Sequence, residues 1–154
     1  MQIIIHELQV VVREYSQKMS AIPKDQFYAK PIPRKWSRIE VLGHLIDSAQ
    51  NNLRRFICGQ YESTPTMISY DQDFWVAANQ YGNASKEDMI QLWILLNERI
   101  ACVLQNMPAD FYEKYCPIVT GGQQTLQWFA ADYVKHLKHH LNQILPGSFD
   151  IAYP

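Results

Sequence analysis

Four long stretches of this chain carry apolar residues at helical spacing, separated by connections rich in proline, glycine or polar residues. In residues 2–20, Ile4, Leu8, Val11, Val12, Tyr15 and Met19 recur every three to four positions, the pattern of an amphipathic helix. The second stretch opens at Ser37. Ser37 and Glu40 form a capping-box pair, in which the hydroxyl takes the N3 amide and the glutamate reaches back to the first N–H. Leu42, Leu45, Ile46, Ala49, Leu53 and Phe56 continue it as one stripe, and Cys58 and Gly59 mark its expected end. The third begins near Ser85, an N-cap residue with Glu87 and Asp88 in the first turn. Met89, Leu92, Trp93, Leu96, Ile100, Val103 and Leu104 form its apolar face, and Met107 and Pro108 close it. The fourth runs from about 125 to 145, where Pro146 and Gly147 stop it.

The connections read differently. Residues 21–36 hold Pro23, Pro31 and Pro33 and predict an extended loop. SYDQDFWVAANQYGN, at 69–83, predicts a short helix, and Gly121 with Gly122 predicts a turn before the fourth long helix. No stretch has the alternation of a strand. The expected architecture is all-α: one domain over 1–154, a four-helix bundle whose first two connections cross the bundle or carry a short extra helix.

Charge and composition narrow the partners. A net charge of −1 with no basic stripe leaves no electrostatic footprint for nucleic acid. No stretch approaches the ~18 uncharged apolar residues of a membrane span. The N-terminal run MQIIIHELQVVVREY has no basic leader and is interrupted by His6 and Glu7, so it does not read as a signal peptide. Cys58, Cys102 and Cys116 are isolated, and without a CxxC pair they predict reduced thiols in a cytoplasmic protein.

Three of the five histidines lie in KHLKHHLNQI, at His136, His139 and His140. Laid out at ~100° per residue from Leu126, the apolar positions of this helix fill an arc from about −60° to about +80°. His140 falls at about −40°, inside the arc; His136 at about −80°, at its edge; His139 at about −140°, on the outer side with Lys135 and Lys138. His136 and His140 are therefore an i, i+4 pair on one edge of the buried stripe, the spacing by which a helix offers two imidazoles to one ion. A third ligand has to come from another helix. His44, about 60° off the stripe of Val41, Leu45 and Ala49, is the best placed, and His6 is the remaining option.

WSRIEVLGHLIDS and ADYVKHLKHHLNQI resemble the second- and fourth-helix signatures of the DinB-like superfamily. GGQQTLQW is similar to that family's entry into the fourth helix, and LLNERI, with Arg99, to its third. The resemblance runs from about residue 27 to 144. It implies a four-helix bundle with a divalent metal held by His44, His136 and His140, in a family that includes bacillithiol- and mycothiol-dependent S-transferases, a mycothiol-dependent isomerase and damage-inducible proteins. It also implies a small-molecule substrate, a low-molecular-weight thiol as co-substrate, and a homodimer.

Three neutral imidazoles leave coordination open, the mark of a catalytic site, and zinc and nickel both suit imidazole. A water bound there has its pKa lowered toward ~7, and a thiol is deprotonated outright. The expectation is a metal-dependent thiol S-transferase or hydrolase whose nucleophile is water or a substrate thiol, since no cysteine lies near the ligand motifs. The alternative is a non-catalytic bundle, stapled by its metal, that serves as a binding or stress-response module. Asp47 and Gln143 are candidate second-layer partners, against surface placement of either. Arg55 and Arg99 are candidates for a substrate carboxylate, against simple surface ion pairs. Tyr70, Asp71, Asp73, Phe74 and Trp75 form either a lid or packing beneath a long loop.

Overall fold

The computed structural model describes residues 1–153, and its order is α1 (Gln2–Ala21), α2 (Lys24–Tyr28), α3 (Arg38–Tyr61), α4 (Gln72–Asn79), α5 (Lys86–Asn106), β1 (Tyr115–Pro117), β2 (Gln123–Thr125) and α6 (Leu126–Ile144). The four long helices make the bundle. Helix α1 packs on α5 and α6, and α3 packs on the same two, so α1 and α3 sit across one diagonal. Trp93, Phe56, Leu8, Met19, Leu42, Leu45, Ile100 and Leu126 are fully buried between them. A polar bridge crosses this core: Tyr133 Oη donates to Asn97 Oδ1 at 2.6 Å.

The caps form where the sequence places them. Glu40 accepts from the Ser37 N–H at 2.8 Å and from its hydroxyl at 2.7 Å. Ser85 accepts from Asp88 N–H at 3.3 Å, and Thr125 from Trp128 N–H at 3.1 Å. These fix where α3, α5 and α6 begin.

Three expectations need correcting. The loop at 21–36 contains α2, a single turn whose Phe27 is fully buried; five residues are too few to show a period. Strands do exist: β1 and β2 form an antiparallel hairpin pairing Cys116 with Gln124. Each has three residues, too short for alternation to register. Helix α3 also runs past Gly59 to Tyr61. A Cβ at Gly59 would lie 2.8 Å from Leu126 Cδ2 and 3.1 Å from Cys116 Sγ, so this glycine permits close approach of α6 and the hairpin and does not stop the helix.

Helices α3 and α6 run antiparallel. Gly59, late in α3, meets Leu126 at the start of α6. Arg38, first in α3, donates to the Ile144 carbonyl at the end of α6 at 2.9 Å. The early turns of α3 therefore face the late turns of α6, which brings His44 to the level of His136 and His140.

Candidate metal centre

His44, His136 and His140 converge, each offering a ring nitrogen, with those nitrogens all within 4.8 Å of one another. His44 Nε2 and His136 Nε2 are 3.2 Å apart. The His140 ring centroid lies 4.4 Å from each of the other two. His44 is only 2% exposed, deeper than a flank position predicts, because Trp36 (5.2 Å between ring centroids) and Tyr70 (6.4 Å) cover it.

The electrostatics follow from burial. His44 is pushed down to about 4 by loss of water, and His140 to about 4 by burial and by the charge His44 would carry. His136 falls to about 2 for the same first reason, with His140, His44 and His139 adding repulsion. All three are neutral at pH 7, the form in which imidazole binds a metal.

The set fits a divalent ion. Two nitrogens held ~2.05 Å from one tetrahedral ion lie ~3.3 Å apart, close to the Nε2 separation found here. His136 Nδ1 lies 3.4 Å from Ser48 Oγ, the kind of outer contact that orients a ligating imidazole. His44 Nδ1 and His140 Nδ1 are buried without a hydrogen-bond partner. An ion taking the Nε2 lone pairs of His44 and His136 would leave each Nδ1 as a donor, and for His136 Ser48 Oγ is the acceptor in reach.

Sequence comparison identifies the family. The model of the DinB superfamily matches residues 7–144. The chain belongs to the DinB superfamily. A Bacillus licheniformis protein, provisionally named a metal-dependent hydrolase, is 28% identical over 110 residues, which is 71% of this chain and 62% of that protein. The match thus spans under two thirds of that relative's length. Among solved structures, YfiT from Bacillus subtilis, provisionally described as a metal-dependent hydrolase with an unusual four-helix bundle topology, superposes with a TM-score of 0.84 at 24% identity. That alignment covers 93% of this chain and 82% of YfiT. A mycothiol-dependent maleylpyruvate isomerase superposes with a TM-score of 0.72 at 12% identity, over 91% of this chain and 59% of its own. At such identities the structural likeness establishes the DinB fold.

The other sequence candidates separate. Asp47 is fully buried, and its Oδ1 accepts from Tyr81 Oη at 2.5 Å and from Asn79 Nδ2 at 3.4 Å. It is not the solvated residue of one reading, and its hydrogen bonds go to Tyr81 and Asn79, not to a histidine. Gln143 is exposed, and its Nε2 lies 3.3 Å from His139 Nε2. His139 itself is half-buried, because Tyr153 from the C-terminal segment packs 5.5 Å from it. Arg55 is not a surface ion pair: it donates to Asn52 Oδ1 and to the Ile68 carbonyl and lies 4.5 Å from the Phe129 ring centroid. Arg99 is exposed on α5. Of the aromatic–acidic cluster, Asp71 caps α4 by accepting from Phe74 N–H at 3.0 Å, Phe74 is exposed, and Trp75 packs on Tyr70 at 5.1 Å. His6 lies on α1, outside the cluster.

Sequence reasoning places Ser48 on the flank of His44 without giving it a role, and misses Trp36 and Tyr153 as neighbours of the three histidines. Tyr153, 5.6 Å from His136 between ring centroids, sits in an aperiodic segment that gives no signal.

A pH dependence follows. The unfolded chain takes up three protons on these histidines below ~6.5, while the folded protein resists until about 4 or lower. Stability is therefore fully present above pH ~6.5 and falls as pH drops toward 4. Asp47, raised to about 6 by burial and partly held down by Tyr81, works in the opposite direction below that value, but it is one group against three. The metal-free protein should melt at a lower temperature at pH 5 than at pH 7, with a shallower slope in His136→Gln. A flat profile, or an equal slope in the variant, would contradict this.

Proposed function

We propose that the chain is a metal-dependent enzyme acting on a small molecule, with a divalent zinc or nickel ion held by His44, His136 and His140. The observation that carries this reading is the convergence of three neutral imidazoles, one buried and two half-buried, from two antiparallel helices. Hydrolysis is the reaction we favour, as the provisional names of the Bacillus licheniformis relative and of YfiT support. Thiol transfer is the second reading, favoured by the fold shared with a mycothiol-dependent enzyme. In either case the nucleophile comes from outside the chain. Cys116 is buried in the hairpin, Cys58 is late in α3 and Cys102 is on α5, so none is among the residues around the histidines.

A divalent ion in this ligand set supplies Lewis acidity, lowering the pKa of a water or thiol beside it and polarising a carbonyl. The protein supplies the rest. Ser48 holds the orientation of His136 from its Nδ1 side. Trp36 and Tyr70 pack against the His44 ring, and Tyr153 against that of His136. Burial pushes Tyr70 up to about 12, helped by the charge of Asp47, so it remains a protonated phenol able to donate a hydrogen bond to a developing negative charge. A cytoplasmic setting and a homodimer belong to the same proposal; the three free thiols support the former and the family resemblance the latter. No helix of the described residues is long and apolar enough to cross a membrane.

The test is a panel of esters, amides and thiol acceptors, assayed on protein loaded with zinc or nickel, with and without a low-molecular-weight thiol. Turnover should fall on the order of 10³-fold on chelation or in His136→Ala, since several kcal/mol of charge stabilisation is removed. Dependence on added thiol would select transfer over hydrolysis. A loaded wild type inert across the panel, or one matched by His136→Ala, would overturn the proposal.

A further inference from the structure

Beside His140 lies a cleft of about 810 Å³, walled by the 29–38 segment on one side and by Gln72, Asp73 and the end of α6 on the other. We infer that this cleft binds a small organic polyanion, a molecule carrying two or more carboxylates, with its reacting end toward His140.

The charge of the wall is the first argument. Lys30, Arg34, Lys35 and Arg38 line the cleft, and Asp73 is the lone carboxylate among the lining residues. The whole chain has a net charge of −1, so this is a local concentration and not a property of the surface at large. Like charges gathered in a concavity repel one another and focus a positive potential into it.

Two of the four cations are already engaged. Lys30 pairs with Glu40 at 2.9 Å. Arg38 donates to the Ile144 carbonyl at 2.9 Å and to the Gln26 carbonyl at 2.7 Å, which ties three helices together and sets the back of the cleft. The side chains of Arg34 and Lys35 make no hydrogen bond or ion pair among the described residues. They are the two cations available to a ligand. A guanidinium takes a carboxylate through two parallel N–H donors, and an ammonium takes a second as a point charge.

Size and position complete the argument. The volume is that of a small-molecule site. Trp36 lines the cleft and also lies 5.2 Å from the His44 ring, so one apolar wall joins the cationic end to the histidine end. The inference deepens the proposed function by naming its substrate class, and it rests on the three-histidine reading only for what the far end of the ligand meets.

The experiment uses the metal-free 154-residue chain, so that the absence of a metal at the histidines would leave its result standing. Propane-1,2,3-tricarboxylate is titrated while the Trp36 indole N–H is followed by NMR, with Trp36→Phe identifying the resonance. A saturable shift is expected, weakened by added salt and absent with the uncharged triamide. Reversing both free cations, Arg34→Glu with Lys35→Glu, should weaken binding at least about tenfold. The milder Arg34→Gln/Lys35→Gln pair gives the same test should the reversal unfold the protein, and unchanged signals from the other tryptophans report folding. No saturable shift, equal binding of the triamide, or unchanged affinity in the folded variants would overturn the inference.

Discussion

His140→Ala will strip divalent metal from the protein, and His139→Ala will leave it in place. The two residues are adjacent in sequence and their rings are 4.9 Å apart, so the pair controls for local charge and helix propensity. His140 directs a nitrogen into the cluster with His44 and His136. His139 packs on Tyr153 and meets Gln143, outside the set. Loss of an outer-layer partner costs about 10–100-fold in metal affinity, and loss of a direct ligand should exceed that range. Elemental analysis of protein purified without chelator and refilled with zinc or nickel should give about one metal per chain for wild type and His139→Ala, and close to none for His140→Ala. Full occupancy in His140→Ala, or an empty wild type after refilling, would refute the assignment and leave the alternative of a bundle that binds without catalysing.

The contrast between these neighbours is legible in the sequence alone. A helix of known period fixes the direction of each side chain relative to its own apolar stripe, and that is enough to separate His140 from His139. It is not enough to give depth. The wheel places His44 at a flank, yet the residue is 2% exposed, because the wheel describes one helix and knows nothing of Tyr70 folding over it from the connection between α3 and α4. Asp47 shows the same limit. A carboxylate off the apolar stripe reads as solvated until Tyr81, 34 positions away, donates to it. Gly59 misleads for a related reason: a glycine that ends a helix and a glycine that admits a neighbour look identical in a single sequence. Local periodicity carries the four long helices. Tyr70 and Tyr153, which pack against the histidines, and Tyr81, which holds Asp47, come from short or aperiodic segments whose positions are decided by long-range packing.

Gly43→Ala will be among the most destabilising single-methyl additions in the molecule, although the residue is mid-helix, where alanine is the better helix former by about 1 kcal/mol. A Cβ at Gly43 would sit 2.0, 2.4 and 2.5 Å from three ring carbons of Tyr81, distances no real contact tolerates. The ring has to leave. With it goes the 2.5 Å hydrogen bond to Asp47 Oδ1, and Asp47 Oδ2 already lacks a partner. The carboxylate would then be buried with only the 3.4 Å contact from Asn79. Overpacking costs about 1–3 kcal/mol, and an unsatisfied buried group about 1–3 kcal/mol more. Together these outweigh the gain in helix propensity and leave a net loss of roughly 1–5 kcal/mol. A double-mutant cycle by urea denaturation separates the causes: if displacement of Tyr81 is the source, Gly43→Ala should cost far less in a Tyr81→Ala background than in wild type. Equal costs in the two backgrounds would place the strain elsewhere in α3. Because Gly43 adjoins His44 and Tyr81 holds Asp47 one turn further on, the same variant should also loosen α3 beside His44, so affinity for added zinc or nickel should fall even under conditions where the protein stays folded.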